Sequence, residues 1–223
     1  MPEPEGGNGM SDSNDDPSGD HVTDALMGGS AYERLRFERY SVFKQSIPQK
    51  MHFQSALLFG LAAVLPVMAA LPADVREALN ANEVAAASPR VILLGLLGGA
   101  LVFVCGIGLA TLGFARLKLG SSITESQAET MLNLEEVASL LSLIIGGISI
   151  VLTICYALMA HGGMGTIQAY VRTVGRDPYV ASGFDVSVVA VAASAFVGGV
   201  ALFVLAQAIH LQFRLKLGAD ANA

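Results

Sequence analysis

Residues 91–115 read VILLGLLGGALVFVCGIGLATLGFA, and the stretch holds no Asp, Glu, Lys, Arg or His. A helix rises about 1.5 Å per residue and the hydrocarbon core of a bilayer is about 30 Å thick, so this stretch is long enough to cross it. Three more stretches are equally free of charge: Phe53 to Leu71, Val137 to Ala160 and Val186 to Ile209. An unpaired amide in lipid costs several kcal/mol, so such spans must be helices. The sequence predicts an all-α integral membrane protein with four transmembrane helices, at about 53–71, 91–115, 137–160 and 186–209.

Composition points the same way. Hydrophobic residues make up 53% of the 223 and charged residues 14%, against about 25% charged in soluble domains. The net charge of −6 is unevenly placed, because Glu3, Glu5, Asp12, Asp15, Asp16, Asp20 and Asp24 all precede the first Lys or Arg. The remainder is nearly neutral, and no nucleic-acid partner is expected.

Four parts follow. Residues 1–29, rich in Gly, Pro, Ser, Asn and Asp, read as a disordered acidic tail, since they hold too little apolar surface to offset the entropy of ordering. Residues 30–50 read as an amphipathic basic and aromatic helix at the membrane interface, opened by the Ser30 to Glu33 capping-box spacing and without Gly or Pro until Pro48. Its Arg34, Arg36, Arg39 and Lys44 are candidates for contact with the lipid surface or a partner. The transmembrane domain takes 51–218, and 219–223 form a C-terminal tail.

Basic residues set the orientation. Arg34, Arg36, Arg39, Lys44, Lys50, Arg116, Lys118, Arg214 and Lys216 fall on one side, against Arg76, Arg90, Arg172 and Arg176 on the other. By the positive-inside bias both termini are cytoplasmic, in an integral cell-membrane protein. No secretory signal peptide is read in the first 30 residues, which lack an apolar run. The spacing Ser122 to Glu125 predicts the start of a helix that projects into the cytoplasm before becoming the third span. Its Glu135 or Glu136 is expected to pair with Arg116 or Arg214. Pro66 is expected to kink the first span, and Ile167 to Val174 to form an interfacial turn.

Small residues recur at seven-residue spacing within the spans, a period that suits a left-handed bundle. Gly95, Gly99, Gly106, Gly113, Gly146, Gly198 and Gly199 are the candidate helix-packing positions. The string RLKLG ends the second span and recurs at the end of the fourth, which would fit two tandem two-helix hairpins, or convergent use of Leu, Arg and Lys at membrane exits.

Chemistry is sparse. No ionisable side chain lies inside the spans as delimited, whereas ion-coupled transporters place one there. Thr111, Ser142, Ser149, Thr153, Tyr156, Ser194 and Gln207 are the polar groups that remain, and hydroxyls in helices usually bond to the carbonyl a turn earlier. His52 and His210 would meet if the first and fourth helices are neighbours, but a metal pair needs further ligands. Cys105 and Cys155 read as small core residues, and no nucleophile or nucleotide motif occurs. No cofactor, metal or catalytic residue is expected. The stretch Gly163 to Gly199 resembles the C-terminal region of the MotA, TolQ and ExbB proton-channel family, but it lacks that family's Gly-Leu-Leu-Gly-Thr segment and following acidic residue, so no membership is drawn. The expectation is a non-enzymatic structural or assembly subunit that associates with lipid, with other membrane subunits or with itself. The alternative is a small oligomeric channel or transporter.

Overall fold

The computed structural model describes residue 35 and residues 45–78, 86–119 and 122–220, with the backbone alone for 216–220. Four helical stretches among these are long and apolar enough to cross a membrane. The first is α1 (Ile47–Ala62) with its continuation α2 (Val64–Ala69), followed by a short α3 (Ala73–Ala78). The second is α4 (Arg90–Leu119). The third joins α5 (Glu125–Leu140), a π-helical turn (Leu141–Gly146) and α6 (Gly147–Met159), and passes through a 3₁₀ turn into α7 (Gly163–Val174). The fourth is α8 (Val188–Asp220).

Helix ends differ from the sequence reading for local reasons. Residues 45 and 46 are not helical and 47–50 open the first span, with Pro48 in the first turn of α1, where its missing N–H is not needed. Ser46 caps that turn, its N–H donating to Gln49 Oε1 at 3.1 Å. The cap of α5 is Thr124, not Ser122: Gln127 N–H donates to Thr124 Oγ1 at 3.4 Å and Thr124 N–H to Gln127 Oε1 at 3.2 Å. The Ser122 hydroxyl donates back to Leu119 O at 2.6 Å instead. The break between α1 and α2 falls at Ala63, one turn ahead of Pro66, whose ring crowds the carbonyl four residues earlier. The interfacial turn at Ile167 to Val174 is a full helix, α7, ended by Gly175 at φ 74°. α8 runs to Asp220, so helix continues past the domain end placed at 218. The acidic tail and Arg34, Arg36, Arg39 and Lys44 lie outside the described residues. Leu35 is helical and packs with Ile123 and Ala128 at the start of the third span.

The bundle section is a rhombus. The first and fourth spans share one extensive face and the second and third another; the first also touches the second and third, and the second the fourth, while the third and fourth share no comparable face. A tandem duplication would relate first to third and second to fourth, so the contact between first and second would need a counterpart between third and fourth. The helices therefore do not pack as two equivalent hairpins. The ends of the second and fourth spans nevertheless touch, with the Arg116 guanidinium 5.3 Å from the Phe213 ring centre.

The end opposite Arg116 is closed by α3, α7 and the loop after it. The Asp74 carboxylate accepts the Met164 N–H at 3.2 Å in the first turn of α7. Arg90 N–H and Val91 N–H, orphan donors at the start of α4, donate to Val180 O and Pro178 O at 3.0 Å each. Ser88 Oγ lies 2.9 Å from Ser182 Oγ, so this loop is tied to the head of the second span.

Candidate functional site

The first turn of α1 points Lys50 inward, and Gln54 follows one turn later on the same face. On the third span Glu135, Ser139 and Ser142 repeat at the spacing of one helix face. Where the two faces meet, Lys50 Nζ donates to Glu135 Oε1 at 2.6 Å, with the side chains only 2% and 6% exposed. Next to them Gln54 Nε2 donates to Ser142 Oγ at 2.7 Å, while the Ser142 hydroxyl donates to Ala138 O at 2.7 Å. Ser142 lies in the π-helical turn, a local widening that is common where a side chain enters the helix ladder.

Gln54 Oε1 is buried and has no hydrogen-bond partner. It faces Gly106 of the second span, where an added Cβ would lie 3.0 Å from this oxygen and 2.6 Å from Leu202 Cδ1. An unsatisfied acceptor of this kind costs about 1–3 kcal/mol, which ordinary core packing would have removed. Gly106 lies ten residues before Arg116, about 15 Å deeper along the helix, and Lys50 is one turn nearer the basic end than Gln54. The ion pair therefore sits well inside the bundle.

This corrects the sequence reading in one respect. Spans delimited by their uncharged runs begin at 53 and 137, so Lys50 and Glu135 were placed outside. Both lie within the packed helices. Sequence alone pairs Glu135 or Glu136 with Arg116 or Arg214; Lys50 adds a partner to Glu135 that no local pattern indicates. Glu136 is half-buried beside the pair, Arg116 is half-buried against Phe213, and Arg214 is exposed.

The named glycines all lie at helix crossings. Added Cβ atoms would meet Leu61 at 2.8 Å from both Gly95 and Gly99, Val102 at 2.6 Å from Gly146, and Ile209 at 3.1 Å from Gly113. Gly198 and Gly199 face Phe103 and Phe59 at 3.1 Å. Gly98 belongs with them, an added Cβ lying 2.7 Å from Ser149 Cβ, although it stands outside the seven-residue column. The hydroxyls of Ser149, Thr153 and Thr111 donate at 2.9 Å to carbonyls of their own helices, as does that of Ser194 at 2.9 Å to Val191 O.

At the far end Tyr156 and Tyr170 hydroxyls lie 2.8 Å apart, and the Tyr179 hydroxyl donates to Tyr156 O. Burial pushes the Tyr179 phenol above its ordinary range, helped by the nearby Asp177 carboxylate and by Tyr156 and Tyr170. His52 stacks on Phe203 with ring centres 5.3 Å apart. Among the described residues no three His, Cys, Asp or Glu gather in a metal-binding group. The chain matches no protein-family model, no curated protein and no solved structure.

Proposed function

We propose that this chain is a non-enzymatic multi-pass protein of the cell membrane, with both termini cytoplasmic, and a structural or assembly subunit of a larger membrane complex. The observation that carries this reading is the packed centre of the bundle. The first and second spans meet along the short diagonal of the rhombus, Gly98 and Gly146 bring the second and third backbones together, and the Ser149 and Thr153 hydroxyls bond to their own helices. Such a section offers no axis for a path through one copy. The seven-residue period of the packing residues supports left-handed crossing. A buried ion pair adds little net stability but fixes which helices meet and in what register, which suits a scaffold. Outward, the third span carries Leu134, Val137, Leu141, Ile145, Ile148 and Leu152, all exposed, on a 3.5-residue period suited to another helix. Crosslinking in native membranes followed by mass spectrometry tests the reading: recurrent capture of defined membrane partners is expected, and a lone monomer would remove it.

The alternative, a small oligomeric channel or transporter, draws support from one feature: an ionisable pair and an unfilled amide acceptor within a span. Flux of ions or small solutes into liposomes holding the purified chain, lost in Gln54→Leu, would favour it over the scaffold.

A further inference from the structure

At about 100° per residue, Phe203, Gln207, His210 and Arg214 of α8 fall within an arc of about 60°, and all four are exposed. His52 of the first span borders this face through its stack on Phe203. The same face continues deeper as Val200 and Phe196, again exposed. The stripe is ordered by depth. Ile209 and Ile47 both approach Gly113, while Leu202 and Gln54 both approach Gly106. Arg214 therefore lies at the basic end, His210 one turn inward, Gln207 about 10 Å inward and the aromatic lane beyond.

An amide and an imidazole facing acyl chains cost free energy unless something hydrogen-bonds them. Gln207, His210 and Arg214 have no protein partner among the described residues, and no carboxylate shares their face. We propose that this face of α8 is a binding site for an anionic phospholipid of the cytoplasmic leaflet. The headgroup phosphate accepts from Arg214 and His210, the Gln207 amide donates to a glycerol ester carbonyl, and an acyl chain lies along Phe203, Val200 and Phe196. Charge complementarity and depth order together select a phospholipid: the cation stands where a phosphate stands, the neutral donor where esters stand, and the apolar groups where chains stand.

The test is native mass spectrometry of the full chain, titrated with phosphatidylglycerol or phosphatidylcholine carrying identical acyl chains. Preferential retention of one phosphatidylglycerol is expected. A cation near an anionic headgroup gives roughly 1 kcal/mol, so Arg214→Gln should weaken retention about five-fold. Gln207→Leu should weaken both lipids alike, and Arg172→Gln, at the opposite end, should change nothing. Equal retention of the two lipids, or undiminished phosphatidylglycerol in Arg214→Gln, would overturn the proposal. So would crosslinking of Gln207→Cys in membranes to a partner protein instead of to lipid. A thermal melt of each variant separates loss of binding from loss of fold, since all three side chains are exposed.

Discussion

Replacing Lys50 by Met, Glu135 by Leu, and both together sets up a double-mutant cycle on the buried pair that joins the first and third spans. Both side chains are almost wholly out of solvent and their charged atoms lie 2.6 Å apart. Removing one partner leaves a charge in low dielectric with nothing to balance it, at about 3–5 kcal/mol. Removing both leaves apolar groups of similar volume, and such exchanges range from neutral to stabilising by about 1–4 kcal/mol. Lys50→Met is thus expected to destabilise strongly, and adding Glu135→Leu to restore most of the loss. Glu135 makes further interactions, so Glu135→Leu alone should be the more damaging single change. The assay is reversible unfolding of the purified full chain in mixed micelles. If Lys50→Met cost under about 0.5 kcal/mol, within the range of surface substitutions, the pair would not be buried as described. A double variant as damaged as the sum of the singles would also refute the reasoning.

Three further outcomes follow from the packing. Gly146→Val should destabilise by about 1–3 kcal/mol, because its side chain would enter the space of Val102 and approach Gly98 O, whereas Gly108→Ala, with open space around it, should be neutral or gain up to about 1 kcal/mol; thermal melts in detergent compare them. Thr124→Ala should cost about 1 kcal/mol and speed amide hydrogen exchange in the first turn of α5, while Ser122→Ala should leave that turn unchanged. The phenol of Tyr179 has a folded-state pKa raised above its unfolded value, so its contribution is present below pH about 10 and is lost as pH rises beyond that; a melting series toward alkaline pH should show the loss, and Tyr179→Phe should flatten it.

Much of the fold was legible because lipid leaves few choices. Four uncharged runs of sufficient length could only be helices, and Gly95, Gly99 and Gly106 stand where a neighbouring helix's side chain needs room, Gly146 where the second span's backbone comes close. The site was less legible, and the reason is physical. A hydropathy window ends a span at its first charge, but helices extend past that point, and two opposite charges from different helices can enter the bundle together. Lys50 and Glu135 are 85 positions apart, so no local pattern links them. A signal was available in the run Glu135, Ser139, Ser142, Gly146, Ser149, Thr153, whose polar or small residues hold one face through the third span. The cap at Thr124 is hidden in the sequence because Ser122 offers a competing spacing two residues earlier. The rhombus could not be read from the sequence, since the RLKLG echo does not say which helices touch.

The central claim is that a closed four-helix bundle serves as a subunit of a larger membrane assembly. It is tested most directly by isolating the full chain from native membranes under mild detergent and measuring the mass and composition of the particle. The account predicts a complex well above the mass of one chain, containing the same membrane partners in repeated preparations. A monodisperse single chain with no co-purifying protein, active in liposome flux by itself, would contradict it.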